Sequence, residues 1–273
     1  MNSEVEGHYS AGGKLADRIA AKLKEAGKNI NELTTADLAA VDEFHIRGRR
    51  ATLELGAKMN LHESSRLLDL GSGLGGPART LAEIYGCRVT GIDLTEEFCD
   101  AANTMSTWLG LENKVEFLQG DATDLPFPNE HFDAAMTIHV AMNIPAKDKM
   151  YAEARRSVKA GGRFAVYDVI QGDGGEVHFP VPWARDASIS HLATHDEMRS
   201  LLSGAGFKIL ETEDSSEESL TWFQEMAKRM AESGPPPVSF QLFFGKDFPE
   251  MARNQVRNLA ERRIRTISYI CER

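Results

Sequence analysis

The chain has 273 residues, of which 42% are hydrophobic and 26% charged, a composition that is typical of a globular protein and excludes a mainly disordered one. Its formal net charge of −10 disfavours a nucleic-acid or anionic-lipid partner. No run approaches the roughly 18 apolar residues of a membrane span, and the three widely spaced cysteines indicate a reducing compartment, so we expect a cytoplasmic protein.

Short apolar runs alternate with helical stretches from residue 66 onward, and this alternation predicts an α/β fold in which helices cover both faces of a mostly parallel sheet. Strands are predicted at 66–70, 88–93, 115–119, 132–138, 163–169, 207–212 and 264–270. Helices are predicted at 77–85, from 95 onward, and at 146–158, 194–204, 220–231 and 249–262.

Two regions flank or interrupt this pattern. Residues 1–60 read as a helical N-terminal cap on the sheet, and residues 61–273 as the main domain. Within that domain, residues 215–263 form a helical, lid-like insertion between the sixth and seventh strands. The insertion carries an apolar cluster that we interpret as a small satellite core in preference to a lid face or a subunit contact: Phe240, Phe243, Phe244 and Phe248.

The strongest local signal is a glycine-rich turn between the first strand and the next helix, Asp69-Leu70-Gly71-Ser72-Gly73-Leu74-Gly75-Gly76. It satisfies the G-x-G-x-x-G pattern, which alone also fits a purely structural tight turn. Asp69 lies two residues before the first glycine, where its carboxylate would repel a pyrophosphate and hold an ammonium group. This feature disfavours a nicotinamide-linked oxidoreductase.

Two more acids follow successive strands. Asp93 ends the second strand, where it can accept hydrogen bonds from ribose hydroxyls, and Asp121 follows the third, where it can accept from an adenine amine. Singly, each also fits a turn or cap residue. Together with Asp69 they describe a ligand that has an ammonium, a ribose and an adenine and lacks a pyrophosphate, which is S-adenosylmethionine.

Five segments resemble the class I S-adenosylmethionine-dependent methyltransferases: residues 68–73, 90–93, 120–127, 132–133 and 158–162. The resemblance implies a Rossmann-like, seven-stranded sheet with an antiparallel last strand, the product S-adenosylhomocysteine, and no metal. It also implies cofactor contacts from Asp69, Gly71, Ser72, Gly73, Asp93, Leu94, Asp121, Ala122 and Thr137.

Residues outside these segments must select the methyl acceptor. His139, just past the fourth strand, is the candidate catalytic residue, as a base or as a substrate-orienting group, although a histidine that satisfies a loop carbonyl fits equally well. Arg47, Arg49 and Arg50 could clamp a carboxylate, or could form a solvated helix face. The expected acceptor contacts are Tyr9, His45, Arg49, His139, Asn143 and Trp183.

Residues 42–47, 139–144 and 181–183 resemble the branch that contains sarcosine/dimethylglycine N-methyltransferases, which is similar to ubiquinone- and tocopherol-type C-methyltransferases. The resemblance therefore favours methylation of the amine of a small amino acid. C-, O- or S-methylation of a quinone, a phenol or a small thio or hydroxy acid is the alternative. A non-catalytic nucleoside-binding module is a third hypothesis. The sequence indicates no oligomeric state.

Overall fold

A seven-stranded sheet forms the centre of the molecule. The computed structural model describes residues 14–236 and 238–273, except for the side chain of Gln241. The strands are β1 (Arg66–Leu70), β2 (Arg88–Asp93), β3 (Val115–Gln119), β4 (Phe132–Ile138), β5 (Val158–Gln171), β6 (Lys208–Asp214) and β7 (Ile264–Glu272). Their spatial order is β3-β2-β1-β4-β5-β7-β6. Strand β7 pairs antiparallel with both of its neighbours, which confirms the fold class and the predicted orientation of the last strand.

The fifth strand begins earlier than predicted. Val158, predicted as the last residue of a helix, pairs with Phe132, so residues 158–162 belong to the strand. The chain bends at Gly161, where φ is 75°, and the amide of Gly161 donates to the carbonyl of Arg273. The end of β7 therefore supports this bend, a contact between residues far apart in the chain.

Helices cover both faces of the sheet. They are α1 (Leu15–Glu25), α2 (Thr35–Asp42), α3 (Gly48–Gly56), α4 (Gly76–Tyr85), α5 (Glu96–Trp108), α6 (Lys147–Ser157), α7 (His195–Gly204), α8 (Ser216–Ser233), α9 (Gln241–Phe244) and α10 (Phe248–Ala260). Alternate side chains of β4 enter different cores, since Ala135 packs with α6 and α7, whereas Ala134 and Met136 pack with α3, α4 and α5.

The N-terminal helices dock directly on the glycine-rich turn. Arg79 of α4 is fully buried and pairs with Asp42 of α2 at 2.8 Å, and it also donates to the carbonyl oxygens of Leu74 and Ala102. A Cβ on Gly76 would lie 2.4 Å from the carbonyl oxygen of Asp42. The last glycine of the turn therefore permits the close approach of α2.

Candidate functional site

The glycine-rich turn is held against the end of β2. The amides of Gly71 and Ser72 donate to the carbonyl of Ile92 at 2.8 and 3.0 Å, and the amide of Gly73 donates to Asp93 Oδ2 at 2.8 Å. Gly71 has φ 74°, and a Cβ there would lie 2.4 Å from Val140. Gly73 has φ 52° with nothing within 4 Å of a Cβ, so its backbone is open to a ligand.

The buried carboxylate of Asp69 has one oxygen, Oδ2, without a described hydrogen-bond partner. The residue is 2% exposed, and no described group donates a hydrogen bond to its buried Oδ2. Burial, followed by the negative charges of Asp93 and Glu43, raises the pKa of its carboxyl to about 8. A ligand with a positively charged hydrogen-bond donor would satisfy this oxygen and neutralise the carboxylate charge. Binding would thereby remove the free-energy penalty of burying an unpaired carboxylate.

Asp93 and Asp121 lie on the same cavity wall as the turn. Asp93 Oδ1 accepts from the amide of Thr95 at 2.9 Å, so both carboxylate oxygens hold backbone amides, and burial raises the pKa of this carboxyl. Asp121 Oδ1 accepts from the amide and hydroxyl of Thr123 at 2.8 and 2.7 Å. Each oxygen of a carboxylate has two lone pairs, so these bonds leave acceptor capacity for ligand hydroxyls and amines.

The cavity beside these residues has a volume of about 1660 Å³. Of the predicted cofactor contacts, eight line it: Asp69, Gly71, Ser72, Gly73, Asp93, Leu94, Asp121 and Ala122. Thr137 is fully buried and does not line it, whereas the neighbouring Ile138 does. Side chains alternate along β4, and Thr137 therefore faces the opposite side of the sheet.

The rings of His139 and His45 lie next to each other on the cavity wall. Their ring centroids are 5.9 Å apart, and His139 lies 4.8 Å from the ring of Tyr167. Both ring nitrogens of His139 are buried without a described hydrogen-bond partner. Burial, and then the adjacent His45, hold the pKa of His139 well below its usual value. His139 is therefore neutral, with one donor and one acceptor available to a ligand.

His45, a predicted acceptor contact, belongs to a buried polar network whose other members, Glu43 and Thr52, were not predicted as site residues. Its Nε2 donates to the carbonyl of Gly48 at 2.9 Å, and burial lowers its pKa to about 4. Glu43 lines the cavity and accepts from the hydroxyls of Thr52 and Thr80 at 2.6 and 2.8 Å. Glu43 was missed because its hydroxyl partners lie 9 and 37 residues away.

The arginines expected to clamp a carboxylate have acidic or hydroxyl partners of their own. Arg49 donates to Thr80 at 2.5 Å and pairs with Glu83 at 3.2 Å. Arg47 and Arg50 share Glu54, at 2.5 and 3.1 Å. All three line the cavity and each guanidinium has at least one such partner, but the Nε of Arg47 is buried without a described hydrogen-bond partner.

Two other predicted acceptor contacts take part in local packing. The side-chain nitrogen of Asn143 donates to the carbonyls of Trp183 and Ile189 at 2.8 and 2.9 Å. Trp183 is buried, and its indole N–H donates to Ser190 at 3.0 Å. Both residues line the cavity, although their side-chain donors are used within the protein. Tyr9 lies outside the described residues.

The phenylalanines of the insertion were expected to form a satellite core, and Phe243 does pack against a core, with its ring centroid 6.0 Å from that of Phe98. All four are only half-buried, and all four line the cavity. Phe240 and Phe244 contact the ring of Phe44, with centroids 4.3 and 5.2 Å apart. Phe44 lies between Glu43 and His45, which also line the cavity, so its contacts bring Phe240 and Phe244 next to the site.

The described part of the chain has no group of three or more metal-ligating side chains and no helix long and apolar enough to cross a membrane. Its three cysteines are buried and unpaired with one another. His195, assigned by sequence to a helix cap, lies outside the cavity and contacts the hydroxyl of Tyr269 through Nδ1 at 2.9 Å.

Comparison with known proteins agrees with this arrangement. Residues 68–166 match a family described as a methyltransferase domain. A sterol 24-C-methyltransferase of Gibberella zeae is 32% identical over 59% of this chain and 44% of its own length. A methyltransferase of Penicillium fellutanum is 28% identical over 59% of this chain and 51% of its own length. The chain thus spans about half the length of these relatives.

Solved structures show the same fold. A putative sarcosine dimethylglycine methyltransferase of Galdieria sulphuraria has a TM-score of 0.66 at 19% identity, covering 82% of this chain and 85% of its own. A geranyl diphosphate C-methyltransferase of Streptomyces coelicolor, solved with S-adenosylhomocysteine, has a TM-score of 0.68 at 16% identity, covering 82% and 79%. N- and C-methylating enzymes are both represented, so the fold does not distinguish the two branches.

Proposed function

We propose that this chain is an S-adenosylmethionine-dependent methyltransferase that acts on a small-molecule acceptor. The observation that carries the proposal is the buried carboxylate of Asp69, whose Oδ2 has no hydrogen-bond partner among the described residues, beside the open backbone of Gly73. A sequence relationship to methyltransferases over residues 68–166 supports it.

The residues around the turn fit each part of this cofactor. Asp69 holds the ammonium of the methionine moiety, and the bare backbone of Gly71 and Gly73 permits its close approach. Asp93 accepts hydrogen bonds from the ribose hydroxyls and Asp121 from the adenine amine. Ser72, Leu94 and Ala122 supply the remaining wall, and the backbone at Thr137 and Ile138 closes over the methionine moiety, with the Ile138 side chain facing the cavity.

S-adenosylmethionine supplies an electrophilic methyl group on a positively charged sulfur. The acceptor nucleophile forms a bond to this carbon as the carbon–sulfur bond breaks, and S-adenosylhomocysteine leaves. The protein contributes chiefly by holding the two reactants in line, which supplies much of the rate in such displacements. His139 orients the acceptor through its free ring nitrogens, and the insertion excludes water from the cavity.

The amine of a small amino acid such as sarcosine or dimethylglycine stays our sequence-based hypothesis for the acceptor. Such an acceptor needs a counter-ion for its carboxylate, and the pairing of Arg49 and Arg50 with acids weighs against it. The unpartnered Nε of Arg47 is the one described arginine donor near the histidines that supports it. C-methylation is the second candidate, favoured by the aromatic side chains that line the cavity.

A product screen tests the activity itself. Purified protein and methyl-labelled S-adenosylmethionine are incubated with separate pools of small amines, thio and hydroxy acids, phenols, quinones and apolar alkenes, with mass-spectrometric detection. We expect label in one pool together with stoichiometric S-adenosylhomocysteine. Failure to bind S-adenosylhomocysteine in calorimetry would contradict the proposal.

The raised pKa of Asp69 predicts that cofactor binding releases a proton. A carboxyl with a pKa of about 8 is mostly protonated at pH 7, and an ammonium ligand requires its ionised form. The affinity for S-adenosylhomocysteine should therefore rise by about tenfold per pH unit between pH 5 and 7. Calorimetry in buffers of different ionisation enthalpy should detect the release of about one proton.

Asp69→Asn should abolish both this proton release and the pH dependence, and should weaken binding. The exposed Asp186, which does not line the cavity, offers a matched control as Asp186→Asn. An affinity that is independent of pH in the wild type would show that Asp69 does not face the ammonium group.

His139 is expected to orient the acceptor and not to take its proton. Its pKa lies well below the usual value, and no described carboxylate contacts its ring nitrogens to stabilise the imidazolium. We expect His139→Asn to lower kcat by about tenfold or less, against the 100- to 10,000-fold typical of a lost base. Asparagine is the suitable replacement, since φ is 55° at this position. Loss of one limb of the pH–rate profile would instead identify His139 as a base.

A further inference from the structure

We propose that the methyl acceptor is an extended, predominantly apolar molecule that lies in a chamber built by the insertion. This inference rests on the proposed function and names its substrate class. We define the insertion chamber as the part of the cavity lined by Phe44, Leu220, Phe223, Met226, Met230, Phe240, Phe244 and Phe248.

Helix α8 packs Leu220, Trp222 and Phe223 against the core that contains Trp183 and Ile264, and its apolar side chains continue along the cavity. Leu220, Phe223 and Ala227 recur at helical spacing and all line the cavity, as do Met226 and Met230. Ser219 is the one residue of the helix that is buried, and Met230 is 44% exposed. Met226 and Met230 pack against none of the described cores, so a ligand in the cavity would complete their apolar contacts.

Aromatic rings connect this helix face to the reacting end of the site. Phe44 contacts Phe240 and Phe244, and Phe248 stacks on Phe244 with centroids 6.1 Å apart. Phe44 is followed directly by His45, whose ring faces His139. The chamber is therefore continuous with the place where the methyl group is transferred.

The charges on the cavity wall disfavour an anionic amino acid at the reacting end. Six acids line the cavity, and burial raises the pKa of four of them, Asp42, Glu43, Asp69 and Asp93. The arginines nearest the histidines are engaged by Glu54 and Glu83. The remaining arginines of the wall, Arg229 and Arg253, lie exposed on the insertion helices. A neutral apolar acceptor meets no repulsion here.

The size of the cavity agrees with this inference. At about 1660 Å³ it exceeds the pockets that usually hold one drug-sized ligand, which have volumes of about 300–1,000 Å³. A nucleoside cofactor occupies one such volume. The space that remains is of the same order as a second ligand of that size, and dimethylglycine would fill only a small part of it.

The test uses the full chain saturated with S-adenosylhomocysteine, and Nile red, a neutral apolar dye, as the probe of the chamber. We expect saturable binding of Nile red with blue-shifted emission, and no displacement by millimolar dimethylglycine. Phe240→Asp and Met226→Glu should each weaken dye binding at least tenfold, while the affinity for S-adenosylhomocysteine changes less than twofold. Met226 is half-buried on α8, so its substitution does not disturb a core.

Ile84→Asp is the matched control. Ile84 is an exposed apolar residue of α4 outside the cavity, so this variant should bind the dye as the wild type does. The inference is overturned if the dye shows no saturable binding, if neither chamber variant weakens it, or if dimethylglycine displaces it. If the wild type does not bind S-adenosylhomocysteine, the proposed function itself is wrong. Calorimetry measures this binding separately from the binding of the dye.

Discussion

Asp93→Ala is expected to weaken S-adenosylmethionine binding by about 2–4 kcal/mol, or about 30- to 1,000-fold in Kd. The substitution removes the acceptor that we propose for the ribose hydroxyls. It also releases the amides of Gly73 and Thr95, which Asp93 holds at 2.8 and 2.9 Å. The turn therefore loses both a ligand contact and the hydrogen bond that fixes its backbone. Calorimetry with the purified variant measures the combined loss of binding free energy.

Asp93→Asn separates these two contributions. Its remaining amide oxygen keeps one acceptor, so we expect a smaller loss of affinity than with alanine. Thermal unfolding of both variants checks that β2 and the turn stay folded. An unchanged Kd for Asp93→Ala would contradict the position assigned to the ribose, and the proposed cofactor orientation would have to be abandoned.

Arg79→Met is expected to lower the free energy of unfolding by about 3–5 kcal/mol, measured by urea denaturation at pH 8. Arg79 is fully buried, and its guanidinium lies 2.8 Å from Asp42 and over the ring of Phe117. Without it, the carboxylate of Asp42 is left buried without a counter-ion. The carbonyls of Leu74 and Ala102 also lose a donor, so the N-terminal helices and the glycine-rich turn loosen together.

This loss of stability should depend on pH. Burial already raises the pKa of Asp42 to about 6 despite the adjacent Arg79, and removal of the guanidinium raises it further. A group whose pKa is raised by folding costs stability as the pH rises above its unfolded value, so the difference from wild type should be smaller at pH 5 than at pH 8.

Two further variants check this explanation. Arg50→Met removes a guanidinium whose side chain is 60% exposed, and should cost less than about 1 kcal/mol. Asp42→Asn combined with Arg79→Met should cost less than the sum of the single changes, because the unpaired charge is gone. Strict additivity would show that Arg79 stabilises the fold mainly through its packing and carbonyl contacts.

Most of the strands, the glycine-rich turn and the acids at the strand ends could be predicted from the sequence, because their signals are local. A strand of leucines ends in glycines within a few positions, and the next acid follows at the end of the next strand. Parallel pairing then brings Asp69, Asp93 and Asp121 to one edge of the sheet. The antiparallel last strand followed from the family resemblance.

Contacts between distant segments determine which side chains face the cavity. Thr137 and Ile138 are adjacent in β4, and their side chains lie on opposite faces of the sheet, so only Ile138 lines the cavity. The arginines look free in the sequence, and they prove to be engaged by acids up to 34 residues away.

The insertion gives the clearest example of this limit. A cluster of phenylalanines has the same local pattern whether it fills a core or lines a cavity. Its role depends on Phe44, which lies almost 200 residues earlier in the chain and contacts Phe240. Local periodicity specifies which side chains are apolar, whereas contacts between distant segments determine what those side chains cover.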